Sequence, residues 1–141
     1  MKLGKTHSGL ITSHKSKIKN IKGVEDEKIQ KRVVEVKVQT EFTAGDLAQF
    51  IPGNTPDDFL FNSASWDEEI IGTYFVDIND IGFNSKIIKI QRKNSDKGTF
   101  STITFESEDV DQTANLVHYF KDKDNPIQIK ISKIEEWLKC L

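Results

Sequence analysis

Alternation of apolar and polar positions predicts most of the strands in this chain. Between residues 33 and 42, Val34, Val36 and Val38 share one side, and charged or amide side chains occupy the other. Segments that alternate in this way, or that are rich in β-branched and aromatic residues, lie at 33–42, 70–78, 86–92, 99–106 and 127–131. Turn-forming residues at 94–98 join two of them, so 86–106 is predicted to be a β-hairpin.

A helical period replaces this alternation in three places. They are 43–52, 109–120 and 132–141. In the second segment the predicted buried face is Val110, Ala114, Leu116, Val117 and Phe120. Asp109 and Asp111 stand where the positive end of that helix favours acidic side chains.

These elements predict an α+β fold in the order β-α-β-β-β-α-β-α. The expected architecture is a small mixed or antiparallel sheet, or a half-open barrel, with two to three short helices. Residues 1–31 contain few large apolar side chains and show no period, so they are predicted to be a flexible basic tail. Residues 32–141 then form one globular domain, as the length of 141 residues permits.

Charge is distributed unevenly along the chain. The net charge is only −2, yet residues 1–22 contain six lysines and no acid. Residues 38–85 contain nine acids and no lysine or arginine. This separation favours a function in electrostatic recognition over one in catalysis.

A basic tail beside a basic hairpin predicts contact with nucleic acid. The leading hypothesis is a non-enzymatic accessory or regulatory protein that binds RNA or DNA phosphates through both elements. Phe100 or Tyr74 could stack on a base if exposed. The competing interpretation is a solvated sheet face. The residues predicted to contact nucleic acid are Lys15, Lys17, Lys19, Lys86, Lys89, Arg92, Lys93 and Lys97.

The acidic segment supports an alternative function. It could present an acidic surface to a basic protein that itself binds nucleic acid, which would make this chain an interaction module or inhibitor. It could also serve solubility alone, or bind the basic tail of the same chain. The residues predicted to form the acidic surface are Asp57, Asp58, Asp67, Glu68 and Glu69.

No motif for catalysis, a metal or a cofactor is present in the sequence. Residues 77–82 begin like a calcium loop, but Ile88 occupies the position that requires an acidic ligand, so a turn is predicted. Asp80 with 91–93 is a degenerate match to a metal-dependent nuclease site. Cys140 has no evident base nearby in sequence. We therefore expect no enzyme activity, no catalytic residue, no metal and no cofactor.

The remaining expectations concern location and partners. No apolar run is long enough to cross a bilayer, and the start of the chain lacks a signal-peptide pattern, so the cytoplasm is the expected location and no membrane partner is expected. The apolar stripe of the C-terminal segment is predicted to be core, or to support a homodimer. It comprises Ile134, Trp137, Leu138 and Leu141.

Overall fold

The computed structural model describes residues 6–22, 28–41, 64–66, 73–95, 98–120 and 124–133. In this part of the chain most residues lie in strands. The seven strands are β1 (Thr6–Lys22), β2 (Lys28–Thr40), β3 (Ala64–Trp66), β4 (Tyr74–Ile78), β5 (Ile81–Ser95), β6 (Gly98–Ser107) and β7 (Ile127–Lys133). The helix α1 (Val110–Ala114) continues directly into a 3-10 helix (Asn115–Tyr119).

Six of the strands close into a barrel. The order around it is β1, β2, β6, β5, β4, β7 and back to β1, with every pairing antiparallel. The strand β3 pairs with β5 outside this ring. The predicted α+β fold is therefore wrong: the described chain is mostly β, with one short α-helix. The barrel is closed rather than half-open because the predicted β5–β6 hairpin also pairs with β2 through β6.

The middle of the barrel interior is apolar. The alternation predicted for β2 is confirmed, since Val34, Val36 and Val38 are all buried and face inward. The inward residues of the other strands complete the core: Ile11, Tyr74, Val76, Ile78, Phe83, Ile87, Ile90, Ile103, Phe105, Ile127, Ile129 and Ile131. Burial of this apolar surface is the main term that stabilises the fold.

The predicted flexible tail contains β1, the longest strand of the barrel wall. Its first residues pair with β7 and the rest pairs with β2. A register shift between Ile11 and Ser13 makes Thr12 an extra residue, so the inward positions continue at His14 rather than at Ser13. The prediction of a flexible tail is wrong. It failed because most of the apolar residues that pack around β1 belong to neighbouring strands, and because the bulge interrupts the alternation along β1 itself.

Gly9 marks the point where β1 changes partner, since it pairs with Ile127 on one side and Thr40 on the other. A Cβ atom at this position would lie 2.8 Å from the carbonyl oxygen of Gln39. No side chain fits so close to backbone. The absence of one lets β1 coil tightly enough to join β7 to β2.

The β4–β5 connection is a two-residue turn in which both central residues have positive φ, 48° at Asn79 and 68° at Asp80. This is the type I′ geometry that Asn and Asp tolerate and that matches the strand twist. Asn79 also fastens the turn to β7: its Oδ1 accepts from Gln128 N at 2.8 Å and its own N–H donates to Gln128 O at 3.0 Å. The prediction of a turn here is confirmed.

The helical segment packs against one end of the barrel. Its predicted start is confirmed, because the Asp109 side chain caps α1 by accepting from Gln112 N at 3.1 Å. The predicted buried face is wrong, since Ala114 and Val117 are exposed. The 3-10 helix has three residues per turn, so the positions that face the core recur every third residue. They are Val110, Thr113, Leu116 and Tyr119.

Two predicted helices are untested. Residues 43–52 lie outside the described residues. So does 134–141, whereas Ser132 and Lys133, at the start of the third predicted helix, belong to β7.

We expect Leu116→Ala to lower the free energy of unfolding by about 2–5 kcal/mol, because it removes a fully buried side chain that closes one end of the core. Val117 is the matched control. It is the next residue and is 53% exposed, so Val117→Ala should change stability by less than about 0.5 kcal/mol. Urea unfolding of both variants measures the difference. Equal losses would contradict the assigned orientation of the 3-10 helix.

Candidate nucleic-acid interface

The strands β1 and β2 extend beyond the barrel as a two-stranded ribbon. The strand β7 pairs with β1 only as far as Gly9, and β6 pairs with β2 only from Val34 onward. Past these points, 17–22 of β1 pairs with 28–33 of β2. No other described strand borders this part, which we call the ribbon. Six residues per strand at a rise of about 3.3 Å give it a length of roughly 20 Å.

Three of the predicted lysines lie on one face of the ribbon and of the adjoining barrel wall. Lys15, Lys17 and Lys19 alternate along β1 and point to the outside of the barrel. Glu35 pairs with the first two: its Oε1 lies 4.0 Å from Lys15 Nζ, and its Oε2 accepts a hydrogen bond from Lys17 Nζ. Lys19 Nζ lies 2.8 Å from Glu106 Oε1 on β6. The lysines are therefore held along the ribbon by carboxylates of the barrel wall.

Glu35 is the buried member of this network. Its side chain is only 6% exposed, whereas the side chains of Lys15 and Lys17 are 54% and 45% exposed. A buried carboxylate needs a charge partner. The long lysine side chains supply it while about half of each stays in contact with solvent. A similar but more exposed pair joins Lys31 to Glu108.

The opposite face of the ribbon is not covered by any described residue. We call it the open face. It continues the inward side of the barrel wall past the end of the core. Those of its side chains that the structure describes are all exposed: Ile18, Asn20, Gln30 and Arg32. Ile18, at 63%, is the most exposed large apolar residue of the described chain. Arg32 forms no ion pair with the described residues.

The open face is not among the features predicted from the sequence, although a signal for it exists. Residues 15–20 read Lys-Ser-Lys-Ile-Lys-Asn, which is a strict alternation of lysine with other residues. A period of two predicts a strand with two different faces. The lysine content concealed this pattern because neither face is apolar enough to belong to a core.

The predicted basic hairpin is bent by a second bulge. The register runs from Ile87↔Phe105 to Lys89↔Thr104, so Ile88 is an extra residue. As a result Lys86 and Lys89 both point to the outside of the barrel, one on each side of the bulge.

The lysine-bearing sides of β1 and β5 belong to one continuous outer face. Across four strands the register aligns Lys15 with Glu35, Glu35 with Glu106, and Glu106 with Lys86. The structure thus brings the two predicted basic elements onto one sheet surface. Two glutamates lie between them and neutralise part of the positive charge.

Several predicted residues lie elsewhere. Arg92 faces the barrel interior and is 9% exposed, so it does not share the surface of Lys86. Tyr74 is 3% exposed and belongs to the core, which leaves no face for a base to stack on. Phe100 is half-buried. Lys93 lies on β5, but its side chain is outside the described residues. The predicted residues wholly outside the described part are Lys97, Asp57, Asp58, Asp67, Glu68 and Glu69.

The structure does not assemble the nuclease-like pattern. Asp80 is in the turn before β5, whereas Gln91 lies on β5 eleven residues further along the chain. At about 3.3 Å per residue the two are on the order of 35 Å apart along the chain, too far to share a metal ion. Within the described residues, no group of three or more His, Cys, Asp or Glu is arranged to hold a metal ion.

Comparisons with protein-family models, with curated proteins and with solved structures found no match to this chain. No helix in the described part is both long enough and apolar enough to cross a membrane. What this chain does must therefore be inferred from the geometry of the ribbon and of the outer face.

We expect Glu35→Gln to lower the free energy of unfolding by about 1–2 kcal/mol, because it removes the charge that holds Lys15 and Lys17 against a buried position. Glu108→Gln is the control. That carboxylate is 59% exposed and its pair with Lys31 should contribute less than about 0.5 kcal/mol. Urea unfolding at low salt compares the two variants. If Glu108→Gln cost as much, the buried carboxylate would not organise the lysine face.

Proposed function

We propose that this protein is a non-enzymatic accessory or regulatory protein that contacts duplex DNA through the β1–β2 ribbon. The observation that carries the proposal is the open face, where amide, guanidinium and aliphatic side chains stand exposed on a narrow two-stranded element. The lysines on the other face of the same strands supply positive charge. Lys86 and Lys89 form a second, flanking contact on the outer face of the barrel.

The dimensions and the side chains of the ribbon suit the major groove of B-form DNA. That groove is about 12 Å wide and admits a two-stranded ribbon. Arg32 has the donors that guanine accepts, and Asn20 and Gln30 have the paired donor and acceptor that adenine matches. Ile18 offers an apolar contact for a thymine methyl group. The major groove of A-form RNA is too narrow for such an element, so the ribbon favours DNA.

The ion pairs of the lysine face set the strength and salt dependence of this contact. In the free protein Glu35 and Glu106 form ion pairs with Lys15, Lys17 and Lys19. A phosphate must therefore displace a carboxylate from each lysine that it contacts. Such an exchange gains less free energy than neutralising a free lysine. Binding should therefore be modest in affinity, and its salt dependence should be shallower than the number of lysines alone would give.

The alternative, an acidic surface for a basic protein partner, remains a prediction from the sequence. Its residues lie outside the described part of the chain, so no observation favours it over the ribbon. The cytoplasmic location expected from the sequence is part of the present proposal.

We expect Arg32→Ala to weaken binding of a 20-base-pair DNA duplex about fivefold or more at 100 mM salt, since it removes a charged donor from the open face. Lys130→Ala is the matched control, because Lys130 is exposed on β7, which pairs with the opposite end of β1. That variant should change the affinity less than twofold. Fluorescence anisotropy over a salt series measures both.

The same titration with a duplex RNA and with single strands tests the groove argument, and tighter binding of RNA would contradict it. No binding of any nucleic acid at low salt would overturn the proposal. So would equal effects of Arg32→Ala and Lys130→Ala.

We expect Glu35→Gln to tighten DNA binding, the opposite of its effect on stability. The substitution releases Lys15 and Lys17, so the slope of log affinity against log salt should steepen by up to about 1.8. Glu41→Gln removes the same charge from the exposed far end of β2 and should leave the slope nearly unchanged. Equal steepening in the two variants would show a general charge effect and not release of the ribbon lysines.

A further inference from the structure

The barrel interior is polar at one end. The register aligns Arg92 with Ser101, Ser101 with Thr40, and Thr40 with Gly9, so these four residues form one inward-facing layer across β5, β6, β2 and β1. The next layer is aliphatic, with Ile90 and its neighbours. The polar layer therefore lies above the hydrophobic core, at the end of the barrel opposite to the ribbon.

Arg92 is buried without full hydrogen bonding. Its residue is 9% exposed, and neither Nε nor Nη1 has a hydrogen-bond partner among the described residues. Ser101, its cross-strand neighbour, is fully buried, and its Oγ also has no partner in the described part of the chain. Thr40 is different, because its Oγ1 donates to the carbonyl oxygen of Ser8 at 2.8 Å. Two unpaired N–H donors and one unpaired hydroxyl thus stand on adjacent strands.

Such an arrangement is costly in a protein that has nothing to bind there. A guanidinium group cannot lose its proton to escape burial, and an unpaired buried donor loses its hydrogen bonds to water without replacement. The inward-facing residues that the structure describes include no Asp or Glu, because Glu35 and Glu106 point outward. The described interior therefore contains a positive charge and donors, with no acceptor of opposite charge.

The backbone places this group rigidly. Arg92 lies on a part of β5 that pairs with β6 on one side and with β3 on the other. A strand held on both edges fixes the direction of its side chains, which favours preorganised binding.

We propose that Arg92 and Ser101 bind an oxyanion, the phosphate or carboxylate group of a small ligand, at this end of the barrel. The guanidinium supplies charge-assisted N–H donors and the serine hydroxyl supplies a further donor. The site is inside the barrel and the ribbon is outside it, so this proposal does not depend on the contact with DNA.

Thermal unfolding and isothermal titration of the full chain with sodium phosphate and with sodium acetate test the site. Sodium chloride keeps the ionic strength constant, and no nucleic acid is present. We expect one of the two anions to raise the melting temperature in a concentration-dependent way. A response to phosphate identifies a phosphate group, and a response to acetate alone identifies a carboxylate.

Arg92→Met removes the charge but keeps an unbranched side chain of comparable length. This variant should bind the anion at least about tenfold more weakly, and without anion it should be at least as stable as the natural protein. Lys130→Met is the matched control: it removes an exposed, outward-facing charge from β7, away from the proposed site, and should keep the full response. Arg92→Lys, which keeps the charge but loses donors, should bind with intermediate affinity.

Two results would overturn the proposal. One is the absence of any effect of phosphate or acetate on the natural protein. The other is an equal effect on the natural protein and on Arg92→Met. Should Arg92→Met fail to fold, Ser101→Ala and Arg92→Lys decide the same question, because unchanged anion affinity in both would place binding elsewhere.

Discussion

Closure of the antiparallel ring is the constraint on which the rest of this structure depends. Two long strands make it possible, because β1 and β5 each change neighbour along their length. Each contains a bulge, and β1 also has Gly9 where it turns from β7 to β2. Without these irregularities the strands would be too straight to enclose a core, and the sheet would stay open.

The same irregularities decide which side chains reach the surface. The bulge in β5 leaves Lys86 and Lys89 outside and sends Arg92 inward. The bulge in β1 places the lysines on the outer face beside Glu35. The proposed DNA contact and the proposed anion site are therefore both results of where the strands are bent, although they lie on different sides of the barrel wall.

The sequence predicted the elements with regular periods and failed at the irregular ones. The strands around Val34 and Ile129 follow simple alternation, and turn chemistry marks the β5–β6 hairpin; all of these are confirmed. The strand β1 could not be predicted, because its inward positions include Gly9 and His14 and its phase shifts at Thr12. His14 is held by tertiary structure alone, with its Nε2 donating to the Thr113 carbonyl oxygen at 2.8 Å.

For the candidate site, too, a local sequence pattern predicts only part of the arrangement. Charge alone singles out Lys15, Lys17 and Lys19, in a segment predicted to be a flexible tail, and only the register reveals that Glu35 and Glu106 lie beside them. Partners far apart in sequence cannot be assigned from a local pattern. Arg92 follows the inward Ile90 by two residues, so alternation alone places it inward; the extra residue Ile88 is what keeps Lys86 outside, and no composition or charge count indicates that.

The pairing of Thr6–Gly9 with Ile127–Lys130 determines when the chain can complete its fold during synthesis. It joins the two extremes of the described sequence, so the ring stays incomplete until the ribosome has released the last strand. Until then the aliphatic faces of the earlier strands are exposed and can associate with other nascent chains. Contacts between such distant residues also form slowly. Newly made copies should therefore be the form of this protein that depends most on chaperones.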